Sequence, residues 1–385
     1  MATTAQADAR RRNLGSALRT LHDHGPVRQA ELAARVGVNR STMLPLVQEL
    51  LRLGLAEEGV AVSTGQRGRP SPVISASANA VAVVAEISPD RARVQLVELG
   101  GMIHAGTELT MRPASGGLKR TLARVDDTVA DMVAGESNLQ IVGACLALHG
   151  AVDFDGRLTF APNLGWTGEV GLAGRQLPSV HVGNNADLGA LAELRRGAGR
   201  GRRHFVYIAA ERGIGGGLVI NGQVVRGASG LAGEIGHMKV TASNAVCGCG
   251  QRGCWEAEIG QQALADRASV ASVDNLFEQA RGGQRAAIRV IQEAGTALGR
   301  GLATLAAVLQ PEAVVLGGHL PSILELGALQ VHAAMAQACP PQLDAAVEVV
   351  SSVLAQDAAI VGAAELVFDN LFDDPAHTAR DKHAS

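Results

Sequence analysis

Three cysteines stand within eight residues, as Cys247-Gly248-Cys249-Gly250-Gln251-Arg252-Gly253-Cys254, and His237 precedes them by nine intervening residues. Glycines between the sulfurs let the backbone turn tightly enough to bring three thiolates to one point. One imidazole and three thiolates form a complete tetrahedral donor set for Zn2+. Four protein ligands leave no open position, so an ion held by His237, Cys247, Cys249 and Cys254 is expected to be structural rather than hydrolytic. The competing reading is a group of buried thiols beside an unrelated histidine. No apolar stretch precedes a leader-cleavage site, so the expectation is a cytoplasmic chain, where such a cluster means metal rather than disulfide. Cys145 and Cys339 stand alone and read as core residues.

With 385 residues the chain has room for two or three domains. Aromatic residues make up only 2% of it, so its cores must rest on Ala, Val, Leu and Ile. The longest apolar runs, such as Ile141–Leu148 and Leu302–Leu309, fall far short of a membrane span. The net charge of −3 hides an asymmetry: residues 1–80 hold ten Arg, no Lys and six acidic residues. A basic head on an acidic body suggests that the head meets a polyanion.

Within the head, Leu14, Leu18 and Leu21 recur at helical spacing, and Gly25-Pro26 ends that helix. A second helix is expected over Gln29–Val36, followed by a tight turn at Gly37. Asn39 is a good N-cap for a third helix running to about Leu53, with Met43, Val47, Leu50 and Leu51 inward. Leu55–Val62 and Val73-Ile74 read as strands around a Gly/Arg/Pro stretch. Three helices and a two-stranded ribbon make a winged helix-turn-helix, with an ordinary three-helix bundle as the alternative. The polar start of the third helix favours the first: Asn39, Arg40, Ser41 and Thr42 are suited to base edges and phosphates, not to a core. Pro45, inside that helix, implies a later start or a kink.

From residue 79 strands and helices alternate. Strands are expected at Ala80–Ile87, Arg93–Leu99, Ile141–Leu148, Phe205–Ala210, Leu218–Ile220 and Ala313–Leu316, and helices at Thr121–Val133 and Gln284–Leu309. That is an α/β architecture of two lobes. The expected domains are a disordered N-terminus at 1–9, the winged helix-turn-helix at 10–78, a two-lobed body at 79–373 with the zinc motif at 237–254, and a disordered tail at 374–385.

Several segments resemble the ROK (repressor, open reading frame, kinase) family. They are Gly233-Glu234-Ile235-Gly236-His237, the Cys-x-Cys-Gly-x-x-Gly-Cys run with Trp255-Glu256, and Gly213-Ile214-Gly215-Gly216-Gly217, which is similar to the family's second phosphate loop. Pro162-Asn163-Leu164-Gly165-Trp166 and Gly183-Asn184-Asn185-Ala186-Asp187 resemble its sugar-pocket segments. Gly68-Arg69-Pro70 after a winged helix resembles its repressor branch. The resemblance implies an actin-like, sugar-kinase-like (ribonuclease H-like) ATPase fold. It implies a sugar site lined by Asn163, Asn184, Asn185, Glu234, His237 and Glu256, whose carboxylates and amides match a ring of hydroxyls. His237 would serve twice, one ring nitrogen on zinc and the other toward the sugar. Asn184 or Asn185 has a plainer reading as a helix cap, and Glu234 as a solvated loop acid.

Two departures from the family's kinases stand out. Asn185 occupies the place of their general base, and an amide cannot take up the sugar hydroxyl's proton. Glu86-Ile87-Ser88-Pro89-Asp90 stands where they carry a glycine-rich first phosphate loop, and proline there removes an N–H donor. The expectation is a non-enzymatic, sugar-responsive transcriptional repressor. It would bind a small neutral sugar or sugar derivative without phosphorylating it, and would sit on operator DNA as a homodimer or tetramer, away from membranes. Arg40, Ser41 and Thr42 would enter the major groove, and Arg67 and Arg69 on the wing would reach a neighbouring groove or the backbone. The alternatives are a sugar kinase with an added DNA-binding domain, and a sugar-binding protein whose head binds another protein.

Overall fold

A computed structural model describes residues 2–59, 72–88, 90–110, 117–136, 138–161, 166–168, 179–211, 213–340, 342 and 347–378. The head opens with α1 (Ala2–His24), followed by β1 (Val27–Arg28), α2 (Gln29–Val36), α3 (Arg40–Arg52), β2 (Ala56–Gly59) and β3 (Val73–Ala76). Leu14, Leu18 and Leu21 of α1 and Met43, Leu46, Val47 and Leu50 of α3 are buried, as their spacing dictates, while Leu51 is half-buried. The Gly25 N–H closes α1 on the Leu21 carbonyl at 3.0 Å. Gly37 closes α2 in the left-handed conformation, φ 77°. The three strands pair antiparallel in the order β1-β3-β2, with Val27 opposite Ile74 and Glu58 opposite Ile74 on the other side. Arg67 and Arg69, expected on the wing, lie outside the described residues.

Two expectations about the termini need correcting. Residues 2–9 were expected to be disordered, yet α1 begins at Ala2. Ala5, Ala7 and Ala9 are strong helix formers, and no breaker interrupts the run. Its far end is also held: Arg10 pairs with Glu49 of α3, and Arg11 lies 3.8 Å from Asp374. At the other end, Pro375–Thr378 is a short helix rather than part of a disordered tail; residues 379–385 lie outside the described range. Nor does Pro45 delay α3, which runs through it from Arg40 to Arg52.

The body is mixed α/β and carries two five-stranded sheets. The first has the order Val180–Asn184, Gln140–Leu148, Ala80–Ile87, Arg91–Glu98, Ile103–Thr110; its last three strands form an antiparallel meander. The second has the order Gln223–Val225, Ile214–Ile220, Phe205–Ala210, Ala313–Leu316, Glu348–Ser351, antiparallel on one side of Phe205–Ala210 and parallel on the other. The helices Gly117–Val133 and Arg285–Leu309 start within a few residues of expectation. The chain divides into two compact units: residues 1–146, 172–181 and 363–385 form one, and residues 147–171 and 182–362 the other. The head thus belongs to the same unit as the first sheet. No helix among the described residues is long and apolar enough to cross a membrane.

In the second unit a large apolar core surrounds Trp255, which is fully buried. Its indole lies against Gly301 of the helix Arg285–Leu309, where a Cβ would come within 2.2 Å of the ring. The indole N–H donates to the Ala297 carbonyl at 3.0 Å. This anchor fixes the backbone between Cys254 and Glu256, the two neighbours that carry chemistry.

Candidate functional site: a polar pocket beside a Cys3His cluster

A single pocket of the second unit brings together Asn184, Asn185, Glu234, His237 and Glu256. Asn163 lies outside the described residues. Asn184 ends a strand and Asn185 begins the helix Asn185–Arg196. Glu234 and His237 sit on a short 3-10 turn, Ile235–His237, and its N-terminal flank. That turn is pressed onto the glycine strand Ile214–Ile220, where Gly233, at φ +93°, would place a Cβ 1.9 Å from the Gly216 carbonyl oxygen. Only glycine fits, and its absence of a side chain is what brings Glu234 and His237 to the pocket.

The pocket residues differ in how far they are committed. The Asn184 Oδ1 accepts from the N–H groups of Ala186 and Asp187, at 2.7 and 3.3 Å, and its amide donates to the Gly150 carbonyl at 2.7 Å. Asn184 is therefore a helix cap at the pocket wall. Glu256 accepts the Ile214 N–H on one carboxylate oxygen at 2.9 Å and so ties the glycine strand to the helix that follows the cysteines. Burial pushes the Glu234 carboxyl above the usual carboxylate range; His237 works against the shift and Glu256 adds to it. The lining residues that the sequence reading missed include His149, Phe160 and Glu211. The His149 Nε2 lies 2.8 Å from the Asn185 amide nitrogen and 3.4 Å from a Glu211 oxygen. The available signal was a histidine at the carboxyl end of the buried strand Gln140–Leu148, where α/β sheets present polar groups to ligands.

His237 joins this pocket to the cysteines. Its Nδ1 is 3.7 Å from the Cys247 sulfur, and its Nε2 is 3.7 Å from a Glu234 oxygen. The sulfurs of Cys249 and Cys254 are 3.8 Å apart, and the four potential ligand atoms of His237, Cys247, Cys249 and Cys254 all lie within 4.8 Å of one another. Zn–S bonds of about 2.3 Å at tetrahedral angles require sulfurs about 3.8 Å apart, so the spacing fits a metal ion. The Phe160 ring stands edge-on to His237, centroids 5.8 Å apart.

In the head, Arg40, Ser41 and Thr42 are exposed at the start of α3. Asn39 is its N-cap: the Oδ1 accepts from the Thr42 N–H at 2.8 Å and the Ser41 hydroxyl at 2.7 Å. That oxygen is already committed, which leaves the amide N–H groups of Asn39 for any ligand.

The ROK family model matches residues 97–370, most of the chain, and the MarR family model matches residues 12–57. The chain belongs to the ROK family. It is 25% identical over 370 residues to the xylose repressor of Bacillus subtilis, a match covering 92% of this chain and 94% of that protein. It is 30% identical over 281 residues to the glucokinase of Thermotoga maritima, covering 66% of this chain and 87% of the glucokinase. Among solved structures, a ROK transcriptional regulator homologous to the E. coli MLC protein superposes with a TM-score of 0.77 at 21% identity, over 95% of this chain and 97% of that one. A ROK glucokinase from Streptomyces griseus superposes at 0.62 with 26% identity, over 74% of this chain and 98% of that one. The match to the regulator takes in the head as well as the body.

In this ROK chain the turn after the strand Ala80–Ile87 is short, because the strand pairs directly with Arg91–Glu98, Ile87 opposite Ala92. Glu86 is buried there and bound by the Arg93 guanidinium at 2.6 Å. Pro89 lies outside the described residues.

Proposed function

We propose that this ROK protein is a sugar-responsive transcriptional repressor that binds a small neutral sugar, or a derivative of one, in the Asn185–His237 pocket and does not phosphorylate it. The observation that carries the reading is the pairing, in one chain, of a winged head presenting Arg40, Ser41 and Thr42 with a pocket whose expected base position is an amide. An amide can hold a hydroxyl and cannot take its proton. The Glu86–Arg93 pair fills with a buried salt bridge the place where a phosphate loop would offer N–H groups. Support for the regulatory role comes from the match along nearly the whole length of a xylose repressor.

Zn2+ at His237, Cys247, Cys249 and Cys254 would supply a rigid structural node, with no coordination position left for substrate. His237 would pass the position of that node to the sugar site through its second ring nitrogen, with Glu234 as its neighbour. Asn184, Asn185, Glu234, His237 and Glu256, with Asn163, form the sugar-binding set, and His149 and Glu211 extend it. A homodimer or tetramer acting in the cytoplasm would place one α3 in each half-site of a pseudo-palindromic operator, with Arg67 and Arg69 on the wing. We assign residues 10–78 to the DNA-binding domain and residues 79–373 to the sugar-binding body. To shift the head from 1:99 to 99:1 in favour of one state, sugar must bind that state about 5.5 kcal/mol more tightly.

The test is fluorescence anisotropy of the full chain on DNA from upstream of its own and neighbouring genes, repeated with a panel of neutral sugars. Salt-sensitive binding altered by one sugar is the expected result. The second reading, a sugar kinase, draws on the intact glycine strand at Gly213–Gly217 and on the glucokinase similarity. Sugar-dependent release of ADP in a coupled assay would decide for it.

A further inference from the structure

The sequence pointed to Arg40, Ser41 and Thr42 as the reading residues, but the exposed face of α3 extends well beyond them. Ser41, Leu44, Pro45 and Gln48 are all exposed and follow the i, i+3, i+4, i+7 spacing of a single helical stripe. Met43, Leu46, Val47 and Leu50 form the opposite, buried face. Arg40 and Thr42 flank the stripe, and Arg52 lies exposed at its far end.

Two features at the centre of this stripe are unusual. Leu44 is 48% exposed, while the leucines at 14, 18, 21, 32, 46, 50 and 55 are buried at 3% or less. Among the described residues of the head it is the large apolar side chain left to solvent. Next to it, Pro45 has no N–H, so the Ser41 carbonyl lacks its usual helical donor on the same outward face. A surface helix selected only for solubility would place charge or amide at such positions. Here an apolar pair sits between arginines on a basic head, the arrangement expected of a surface that meets a polyanion and an apolar group together.

We infer that Leu44, with Pro45 beside it, is a specificity-determining contact that reads the 5-methyl group of thymine in the major groove, and that Gln48 reads an adenine one helical turn along. Thymine alone presents a methyl group in that groove, and apolar side chains recognise it. Glutamine pairs with adenine N6 and N7. The stripe from Ser41 to Gln48 is about 10 Å long at 1.5 Å per residue, which corresponds to about three base pairs. Each half-site therefore contains a short A·T core under α3. This inference rests on the DNA-binding reading and sharpens it.

The experiment begins with selection of bound duplexes from a random pool by the full chain. The recovered duplex is then remade with each thymine in turn replaced by deoxyuridine, which removes only the methyl group. One or two thymines per half-site are expected to weaken binding about three- to tenfold when demethylated, the effect of one buried methyl-sized group. In Leu44→Ala the same replacement should cost less than twofold, because the methyl has lost its partner. Leu44 is exposed and alanine favours helix, so the variant keeps its fold. If specific duplexes are recovered but no thymine is sensitive, or the sensitivity persists in Leu44→Ala, the Leu44 contact is wrong and the DNA-binding reading stands. If no duplex is enriched, both fail.

Discussion

The imidazole of His22, on the first helix of the head, is held between Glu365 on the C-terminal helix Ala358–Asp373 and the backbone of Leu99. Its Nε2 lies 3.1 Å from both Glu365 oxygens, and its Nδ1 is 3.3 Å from the Leu99 carbonyl. Both side chains are buried, and the rings of Phe368 and Phe372 stand 5.2 Å from the imidazole. Around this pair Arg19 binds Asp369 at 2.7 Å, and Gly15 passes so close to the Phe372 carbonyl that a Cβ would fall 1.9 Å from its oxygen. The first helix of the chain and the helix Ala358–Asp373 thus pack together with the residue that follows the strand Arg91–Glu98 of the first sheet.

His22→Ala should therefore destabilise this unit by about 1–3 kcal/mol, since it removes a buried hydrogen-bonding group from Glu365 and leaves space against Phe368 and Phe372. Urea denaturation of the wild type and the variant measures it. A double change of His22 and Glu365 to leucine should cost clearly less than the sum of the single changes, because it removes both polar groups together. Additive losses would show that the two residues act independently.

Asp187 gives a pH signature. Burial, opposed by Arg226 and reinforced by Glu234, raises its carboxyl from 3.8 to about 7. Its Oδ2 is 3.6 Å from the Arg226 Nε, and its other oxygen is buried without a hydrogen bond. The folded chain holds this proton more tightly than the unfolded chain does. The stabilisation is thus complete below about pH 3.8 and is lost as pH rises toward 7. Relative to Asp187→Asn, the wild type should lose a few kcal/mol between those limits and change little above pH 8. Denaturation midpoints of both proteins across that range check it; parallel curves would mean the carboxyl titrates normally.

Metal content tests the cluster. The purified chain should carry one Zn2+ for each set of His237, Cys247, Cys249 and Cys254, measured by elemental analysis. Cys249→Ser should lower that content and the melting temperature together, because metal binding here is folding energy. Stoichiometric absence of zinc from carefully purified wild type would remove the metal from the account.

Arg40 is exposed at the first position of α3. Arg40→Ala should weaken operator binding by about 1–3 kcal/mol if the guanidinium reads a base, and relax specificity at one position. A uniform loss across sequences, with a shallower salt dependence, would place it on a phosphate instead.

The sequence by itself determined what is local. Asn39 as a cap and Gly37 as a left-handed stop act over three or four residues, so the helices of the head could be read before any packing was known. The cysteine cluster was legible for the same reason, with its donors only seventeen residues apart from His237 to Cys254. Tertiary structure alone decided the rest. It joined His149 to Asn185 across 36 residues and His22 to Glu365 across 343. Hydrophobic periodicity tells a helix which side chains lie together, but which partner covers that face depends on how distant segments return. A hydrogen bond between such segments leaves no mark in the spacing of either one.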